Sequence, residues 1–177
     1  MKRFLVGICL LIMAVPVFAQ EDIGKADKDK AQFVFDLMNQ VEWPQGTGAA
    51  DGEFVIMVVG ETPVTAALEV KAEEISKAGT KASVKTVAAD ASFAEADIVF
   101  IGTGELTELA KVLKGVAKTK ALTVSDQSGF ARYGVMVTVT NNKDTGKIGI
   151  EINQMAARNA GLKISQDLIK KADKTYG

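Results

Sequence analysis

Histidine is absent from the 177-residue sequence. Without it the chain cannot form a Ser-His-Asp or Cys-His catalytic group, use a histidine general base, or build the usual catalytic zinc site. Carboxylates, lysines and hydroxyls are the remaining groups for catalysis. We therefore expect a protein that is not an enzyme and that has no catalytic residue.

Cysteine is almost absent as well, and the single Cys9 lies in an N-terminal apolar run. Lys2 and Arg3 precede this run, and Val17 and Ala19 occupy the small-residue positions before a cleavage site. The pattern predicts a signal peptide over residues 1–19. The run is shorter and differently flanked than a membrane span of about 20 residues. We expect an exported chain with no cysteine, no disulfide and no membrane insertion after cleavage.

An excess of basic residues is also missing. Cleavage of the predicted signal peptide would remove Lys2 and Arg3, leaving 19 basic against 22 acidic residues and a net charge near −3. Nucleic acids and anionic membranes attract proteins through clustered positive charge. We therefore expect neither of them as a partner.

Apolar runs and turn signals alternate along the rest of the chain and predict helices and strands in turn. The run 54–60 is apolar throughout, as strands buried on both faces are, and 96–102 is predicted to be a second fully buried strand. This order predicts one α/β domain over residues 20–177, a three-layer sandwich with a mostly parallel, Rossmann-like sheet extended by a C-terminal β-hairpin. We predict helices at 24–42, 61–79, 104–118 and two near the C-terminus. Thr62 is the expected N-cap of the second helix and Ser165 that of the last, and Leu106, Leu109 and Val112 share the apolar face of the third. We predict strands at 54–60, 82–88, 96–102 and 121–124, and a hairpin at 135–153.

Two short segments resemble functional motifs, one for dinucleotide binding and one for a nucleophilic serine. The segment "IGTGELTEL" resembles a dinucleotide fingerprint, but Thr107 stands at the third glycine position and the later acidic residue is missing. The segment "TVSDQSGF" lacks the G-x-S-x-G spacing of a nucleophile elbow around either Ser125 or Ser128. The first motif predicts a tight turn into a helix, and the second predicts no nucleophile. No cofactor is expected.

Polar residues and glycines follow three of the predicted strands. In an open α/β sheet these strand ends form the crevice where ligands bind. The carboxylates of Glu61, Glu105 and Asp126 could bind a hard cation or an amine there. Alternatively, these residues are polar only because the loops are exposed to solvent. The second interpretation is preferred, so no metal site is predicted. The candidate contact residues of the crevice are Gly60, Glu61, Gly102, Thr103, Ser125, Asp126, Gly129 and Phe130.

Trp43 is the only tryptophan, in "VEWPQG". It either packs the end of the first helix onto the sheet or, if exposed, anchors a partner. Both interpretations stay open at this stage, and Trp43 is included among the candidate contact residues.

Four segments in order resemble the YfiR-like family. They are "KAQFVFDLMNQVEWP", "FVIMVVGETPVTAAL", "ALTVSDQSGFARYG" and "IGIEINQMAARNAGLKISQDLIKKA", which together span about residues 25–172. The resemblance implies a periplasmic, non-enzymatic α/β regulator, often dimeric, whose best-known member represses a membrane-bound diguanylate cyclase and so lowers cyclic di-GMP. It therefore implies as partner a membrane-bound signalling protein, whether a diguanylate cyclase, a histidine kinase or a receptor, and a possible homodimer.

The sequence departs from this family pattern at two places. Asp97 stands where many relatives have a cysteine, and Tyr133-Gly134 replaces a glycine-glycine step. Redox control through disulfides is therefore not expected. The alternative function is a small-molecule sensor or carrier that uses the crevice at the strand ends.

Overall fold

A computed structural model describes residues 23–44, 52–142 and 145–177. The predicted signal peptide, 1–19, lies outside these residues. The helices are α1 (Lys25–Gln40), α2 (Val64–Lys77), α3 (Leu106–Val116), α4 (Gln154–Asn159) and α5 (Gln166–Lys171). The strands are β1 (Val41–Glu42), β2 (Phe54–Val59), β3 (Ala82–Val87), β4 (Ile98–Ile101), β5 (Leu122–Ser125), β6 (Val137–Asn141), β7 (Ile148–Asn153), β8 (Lys163–Ile164) and β9 (Lys174–Tyr176).

The main sheet has the strand order β3-β2-β4-β5-β6-β7-β9. Its first five strands are parallel, β7 is antiparallel to β6, and β9 is parallel to β7. The β6–β7 hairpin thus extends a parallel sheet. The mostly parallel α/β prediction is confirmed.

Two cores lie on opposite faces of the sheet because the side chains of a strand alternate between its faces. All six residues of β2 are buried. Ile56 and Val58 join the core under α1 and α2, whereas Val55, Met57 and Val59 join the core under α3. This arrangement is the predicted three-layer sandwich, and it explains why the strand is apolar without interruption.

The first helix covers the sheet through one apolar stripe. Its buried residues are Ala31, Val34, Phe35 and Leu37, and the Phe35 ring lies 6.3 Å from that of Phe54 at the start of β2. Within the described ranges, no helix is long and apolar enough to cross a bilayer.

Asp97 is buried just before β4. Its carboxylate accepts a hydrogen bond of 2.8 Å from the backbone N–H of Val55. The carboxylate therefore links the start of β4 to the start of β2, because a charged acceptor makes a strong hydrogen bond in a buried site.

Three details differ from the sequence prediction. The strands β1 and β8 form a separate two-stranded antiparallel sheet, and β9 adds an edge to the main sheet. Strands of two or three residues are too short to show an alternating pattern in the sequence. The N-cap of α2 is Pro63 rather than Thr62, whose hydroxyl accepts a 3.3 Å hydrogen bond from the N–H of Val64. The predicted cap of α5 is confirmed, because Ser165 Oγ accepts from Leu168 N at 3.2 Å.

Candidate functional site at the carboxyl ends of the parallel strands

The strand order reverses between β2 and β4. After β2 the chain crosses to α2 on one face, and after β4 it crosses to α3 on the other face. Ligand sites of open α/β sheets lie at such a reversal, outside the carboxyl ends of the strands. The candidate contact residues of the crevice, predicted from the sequence, follow β2, β4 and β5.

Two glycines let the loops after β2 and β4 pack directly against each other. Gly60 has a φ of +85°, and a Cβ there would lie 2.7 Å from the backbone nitrogen of Thr103. A Cβ on Gly102 would lie 2.6 Å from Cγ2 of Thr62. Only glycine fits such close approaches. The structure thus brings Gly60, Gly102 and Thr103 together, with the two loops filling the space between them.

Ser125, the last residue of β5, is fully buried. Its hydroxyl donates a 2.7 Å hydrogen bond to the carbonyl of Ile101 and accepts one of 3.1 Å from the N–H of Gln127. The serine therefore ties the ends of two adjacent strands and shapes the loop after β5. Both hydrogen bonds are made within the protein.

Asp126 forms the polar centre of this edge. Its side chain is 8% exposed, and Oδ2 lies 3.4 Å from Lys30 Nζ of α1. Oδ2 also accepts from Thr62 Oγ1 at 3.2 Å, and Oδ1 accepts from Gln127 Nε2 at 3.0 Å. The carboxylate thus links the first helix, the loop before α2 and its own loop.

The three carboxylates of the predicted crevice do not come together. Asp126 turns towards Lys30, whereas Glu61 and Glu105 are exposed. Within the part of the chain that the structure describes, there is no group of three His, Cys, Asp or Glu residues that could hold a metal ion. A hard cation would need several of these carboxylates close together, and the described residues do not bring them together.

Gly129 and Phe130 turn the chain after this loop. Gly129 has a φ of +81°, and Phe130 opens a 3₁₀ turn, Phe130–Tyr133, with its ring in the core under α3. The Tyr133 ring meets Phe130 edge-on at 6.4 Å, and the Arg132 guanidinium lies 5.6 Å from the Tyr133 ring centre. Phe130, a candidate contact residue, is thus buried in the core and supports the exposed ring of Tyr133.

Two exposed apolar residues at this edge were not predicted. Tyr133 is 52% exposed, and Leu106 at the start of α3 is 54% exposed. The sequence placed Leu106 on the buried face of its helix, with Leu109 and Val112. It escapes burial because it stands in the first turn of α3, next to the strand ends. The Tyr133-Gly134 step in place of glycine-glycine was the available signal for Tyr133.

Trp43 lies away from the other predicted residues. Its ring packs edge-on against Phe54, the first residue of β2, with ring centres 5.9 Å apart. Its Nε1 is buried and has no hydrogen-bond partner among the described residues. The predicted contact residues therefore fall at two opposite ends of the sheet.

One cavity adjoins the loop before α2. It has a volume of about 360 Å³ and lies between α1 and α2, lined by Gly24, Asp27, Thr62, Thr65 and Glu69 among others. Asp27 Oδ1 lies 3.9 Å from Lys30 Nζ, so the same lysine faces two carboxylates.

Comparisons with known proteins identify relatives by sequence and by fold. The family model described as YfiR/HmsC-like matches residues 27–173. No curated protein is a significant match. A conserved domain protein of Vibrio cholerae O1 biovar eltor matches with a TM-score of 0.54 and 14% identity, over 84% of this chain and 60% of that one. An ABC domain of Streptococcus pneumonia, solved with L-Trp, matches with a TM-score of 0.54 and 13% identity, over 85% and 60%. At such identities the likeness concerns the fold.

Proposed function

The chain belongs to the YfiR/HmsC-like family, a family of regulators of diguanylate cyclase signalling, and we propose that it acts as a non-enzymatic regulator of such a cyclase. The observation that carries this proposal is the family match, which spans residues 27–173 and therefore nearly the whole predicted mature domain. In this proposal the protein works in the periplasm after removal of residues 1–19. It binds the periplasmic part of a membrane-bound partner.

The exposed apolar residues Leu106 and Tyr133 are our proposed partner contacts. Leu106 opens α3 after β4, and Tyr133 ends the 3₁₀ turn after β5. Large side chains in the centre of an interface dominate its binding energy. Arg132 adds a cation next to the Tyr133 ring. In this proposal Gly60, Gly102, Ser125 and Asp126 act indirectly, because their packing and hydrogen bonds fix the loops that present the contact.

The remaining candidate residues share this role. In this proposal the packing of Thr103, Gly129 and Phe130 also fixes the loops. Glu61 is exposed, and its charge would change the rate of association with the partner more than the binding affinity. A homodimer also belongs to the proposal, and sedimentation of the mature protein measures it directly.

Deletion of the gene in its own host tests the function. We expect cyclic di-GMP to rise severalfold in the deletion strain and to return when the wild-type gene is supplied. A double variant, Leu106→Ser with Tyr133→Ser, should accumulate normally but fail to restore the level, because both side chains are exposed and contribute little to stability. An unchanged cyclic di-GMP level in the deletion strain contradicts the proposal.

Met155→Ser is the matched control for that experiment. Met155 is 55% exposed and stands at the start of α4, outside the segments that carry Leu106 and Tyr133. It should restore cyclic di-GMP like the wild type. If instead the double variant restores the level and the deletion phenotype is present, the regulator proposal stands and the contact surface is wrong. If the partner is a histidine kinase or a receptor, cross-linking to Tyr133 in membranes would recover that protein rather than a cyclase.

A further inference from the structure

Asn153, the last residue of β7, is a buried amide whose side chain joins two segments. The residue is 6% exposed. Its Oδ1 accepts a hydrogen bond of 2.8 Å from the N–H of Ala156 and thereby caps α4. Its Nδ2 donates a hydrogen bond of 2.8 Å to the carbonyl of Ala131, in the 3₁₀ turn Phe130–Tyr133. One side chain therefore fixes both the first turn of α4 and the 3₁₀ turn.

The backbone of Asn153 belongs to the β6–β7 hairpin, which holds the amide in place. Its N–H donates a hydrogen bond of 2.8 Å to the carbonyl of Met136, just before β6. The next pair of the register, Val137 with Ile152, is fully buried. A side chain that projects from a buried strand is a more rigid support than one that projects from a loop. The 3₁₀ turn is thus attached to a firmly held strand.

The backbone hydrogen bonds that close the 3₁₀ turn are longer than the one from Asn153. The nitrogen of Gly134 lies 3.2 Å from the carbonyl oxygen of Ala131, and that of Val135 lies 3.3 Å from the carbonyl oxygen of Phe130. A carbonyl oxygen has two lone pairs, so that of Ala131 accepts from both Gly134 and Asn153. Because Ala131 is fully buried, loss of the amide donor would leave this carbonyl under-satisfied and would weaken the turn.

The exposed side chains of the turn take their positions from its backbone. Arg132 Nε donates a hydrogen bond of 3.4 Å to the carbonyl of Gly129, and the guanidinium lies 5.6 Å from the centre of the Tyr133 ring. A Cβ on Gly129 would lie 3.0 Å from Nη2 of Arg132, so the guanidinium rests against a backbone without a side chain. A surface that is ordered before binding loses less conformational entropy when a partner binds. The shape of the turn therefore affects how well Arg132 and Tyr133 can bind.

We propose that Asn153 is a positioning residue, which holds the Phe130–Tyr133 turn in the shape that binds the partner. The inference rests on the proposed function, in which Tyr133 is a partner contact. It adds that the strength of this contact depends on a residue that is itself buried. Asn153 acts through the carbonyl of Ala131, whereas its cap of α4 serves the helix.

Asn153→Ser tests this role because it separates the two hydrogen bonds of the side chain. Serine is a good N-cap and keeps an acceptor for α4, but its side chain is too short to donate to the carbonyl of Ala131. We expect amide hydrogen exchange, measured by nuclear magnetic resonance on the mature protein, to become at least tenfold faster at Gly134 and Val135. The exchange rate of Val58, in the buried strand β2, corrects for any change in global stability. Unchanged exchange at Gly134 and Val135 overturns the proposal. If Asn153→Ser does not fold, Asn153→Asp takes its place, because it keeps the size of the side chain and the cap but lacks the amide donor.

Cyclic di-GMP in the deletion strain supplies the functional measurement. At equal protein level, Asn153→Ser should restore less than about half of the wild-type effect, whereas Ser165→Ala should restore it fully. Ser165→Ala is the matched control, because it removes the side-chain cap of another six-residue helix, α5, and leaves the 3₁₀ turn untouched.

Two outcomes overturn the positioning role and leave the regulator proposal standing. If Asn153→Ser and Ser165→Ala fail alike, the loss comes from stability rather than from the turn. If Asn153→Ser loosens the turn and still restores cyclic di-GMP fully, the shape of the turn does not matter for the partner. An unchanged cyclic di-GMP level after deletion contradicts the proposed function, and the role of Asn153 with it.

Discussion

At the scale of single residues, the polar groups at the strand ends mostly serve the protein's own architecture. Ser125 and Asp126 appear in the sequence as a polar pair after a buried strand, a pattern that also precedes catalytic or ligand-binding loops. The structure assigns the Ser125 hydroxyl to the carbonyl of Ile101 and the Asp126 carboxylate to Lys30 and Thr62. The residue types were visible in the sequence, whereas their partners, 24 to 96 positions away, were not.

Trp43 is the residue whose two interpretations can be separated most directly. Because its ring packs against Phe54, we expect Trp43→Ala to lower the free energy of unfolding by about 3 kcal/mol, near the lower end for buried aromatics. Urea denaturation of the mature protein measures this loss. Trp43→Phe is the control and should recover most of it, since a smaller ring can keep the edge-on contact.

A different result would restore the partner-contact interpretation of Trp43. In that case Trp43→Ala would leave the urea midpoint nearly unchanged and would fail to return cyclic di-GMP to normal in the deletion strain. A variant that loses stability but still restores regulation identifies Trp43 as a core residue alone.

At the scale of elements, the packing of the loops after β2 and β4 rests on glycine. Gly60→Ala combines a positive φ with a contact of 2.7 Å to the backbone of Thr103, which cannot move aside as a flexible side chain can. We expect it to destabilise the protein by at least about 2 kcal/mol. The midpoint of thermal or urea unfolding is the measurement.

Gly52→Ala is the matched control for Gly60→Ala. Gly52 has a similar positive φ of +106°, but a Cβ there would meet nothing within 4 Å. It should therefore cost only the backbone strain, about 1 kcal/mol. Equal losses for the two variants would show that the loops separate easily in solution, contrary to the close packing described.

The lengths of the helices and strands explain which of them could be predicted from the sequence. The long helices and the apolar strands were predicted within about three residues of their observed bounds, because each repeats its pattern over several residues. The strands β1, β8 and β9 were missed, because a strand of two or three residues is specified by its partner strand. Val41 pairs with Ile164, and Ile152 pairs with Thr175.

At the scale of the whole molecule, the two ends of the sheet carry different features. Leu106 opens α3 after β4 and Tyr133 ends the 3₁₀ turn after β5, whereas Trp43 packs at the amino end of β2. This separation divides the residues selected from the sequence into two groups with different proposed roles.

Export can be tested on the intact protein. Expression of the full chain in a Gram-negative host should yield a periplasmic form that begins at Gln20, because the residues before it have the charge, length and small side chains of a cleavable signal. Mass spectrometry of the periplasmic fraction gives the N-terminus. A protein that keeps residues 1–19 and is found in the membrane fraction would show that this segment is an uncleaved anchor. The variant Ala19→Arg should block cleavage.

The sequence alone determined the α/β class, the core-forming strands, the family resemblance and the lack of histidine chemistry, because composition and local periodicity carry that information. The tertiary structure decided which polar groups satisfy one another. It paired Asp126 with Lys30, dispersed the three carboxylates, exposed Leu106 and placed Glu151 opposite Thr138 in the β6–β7 register. These outcomes depend on strand order and register, which bring together side chains that are far apart in the chain.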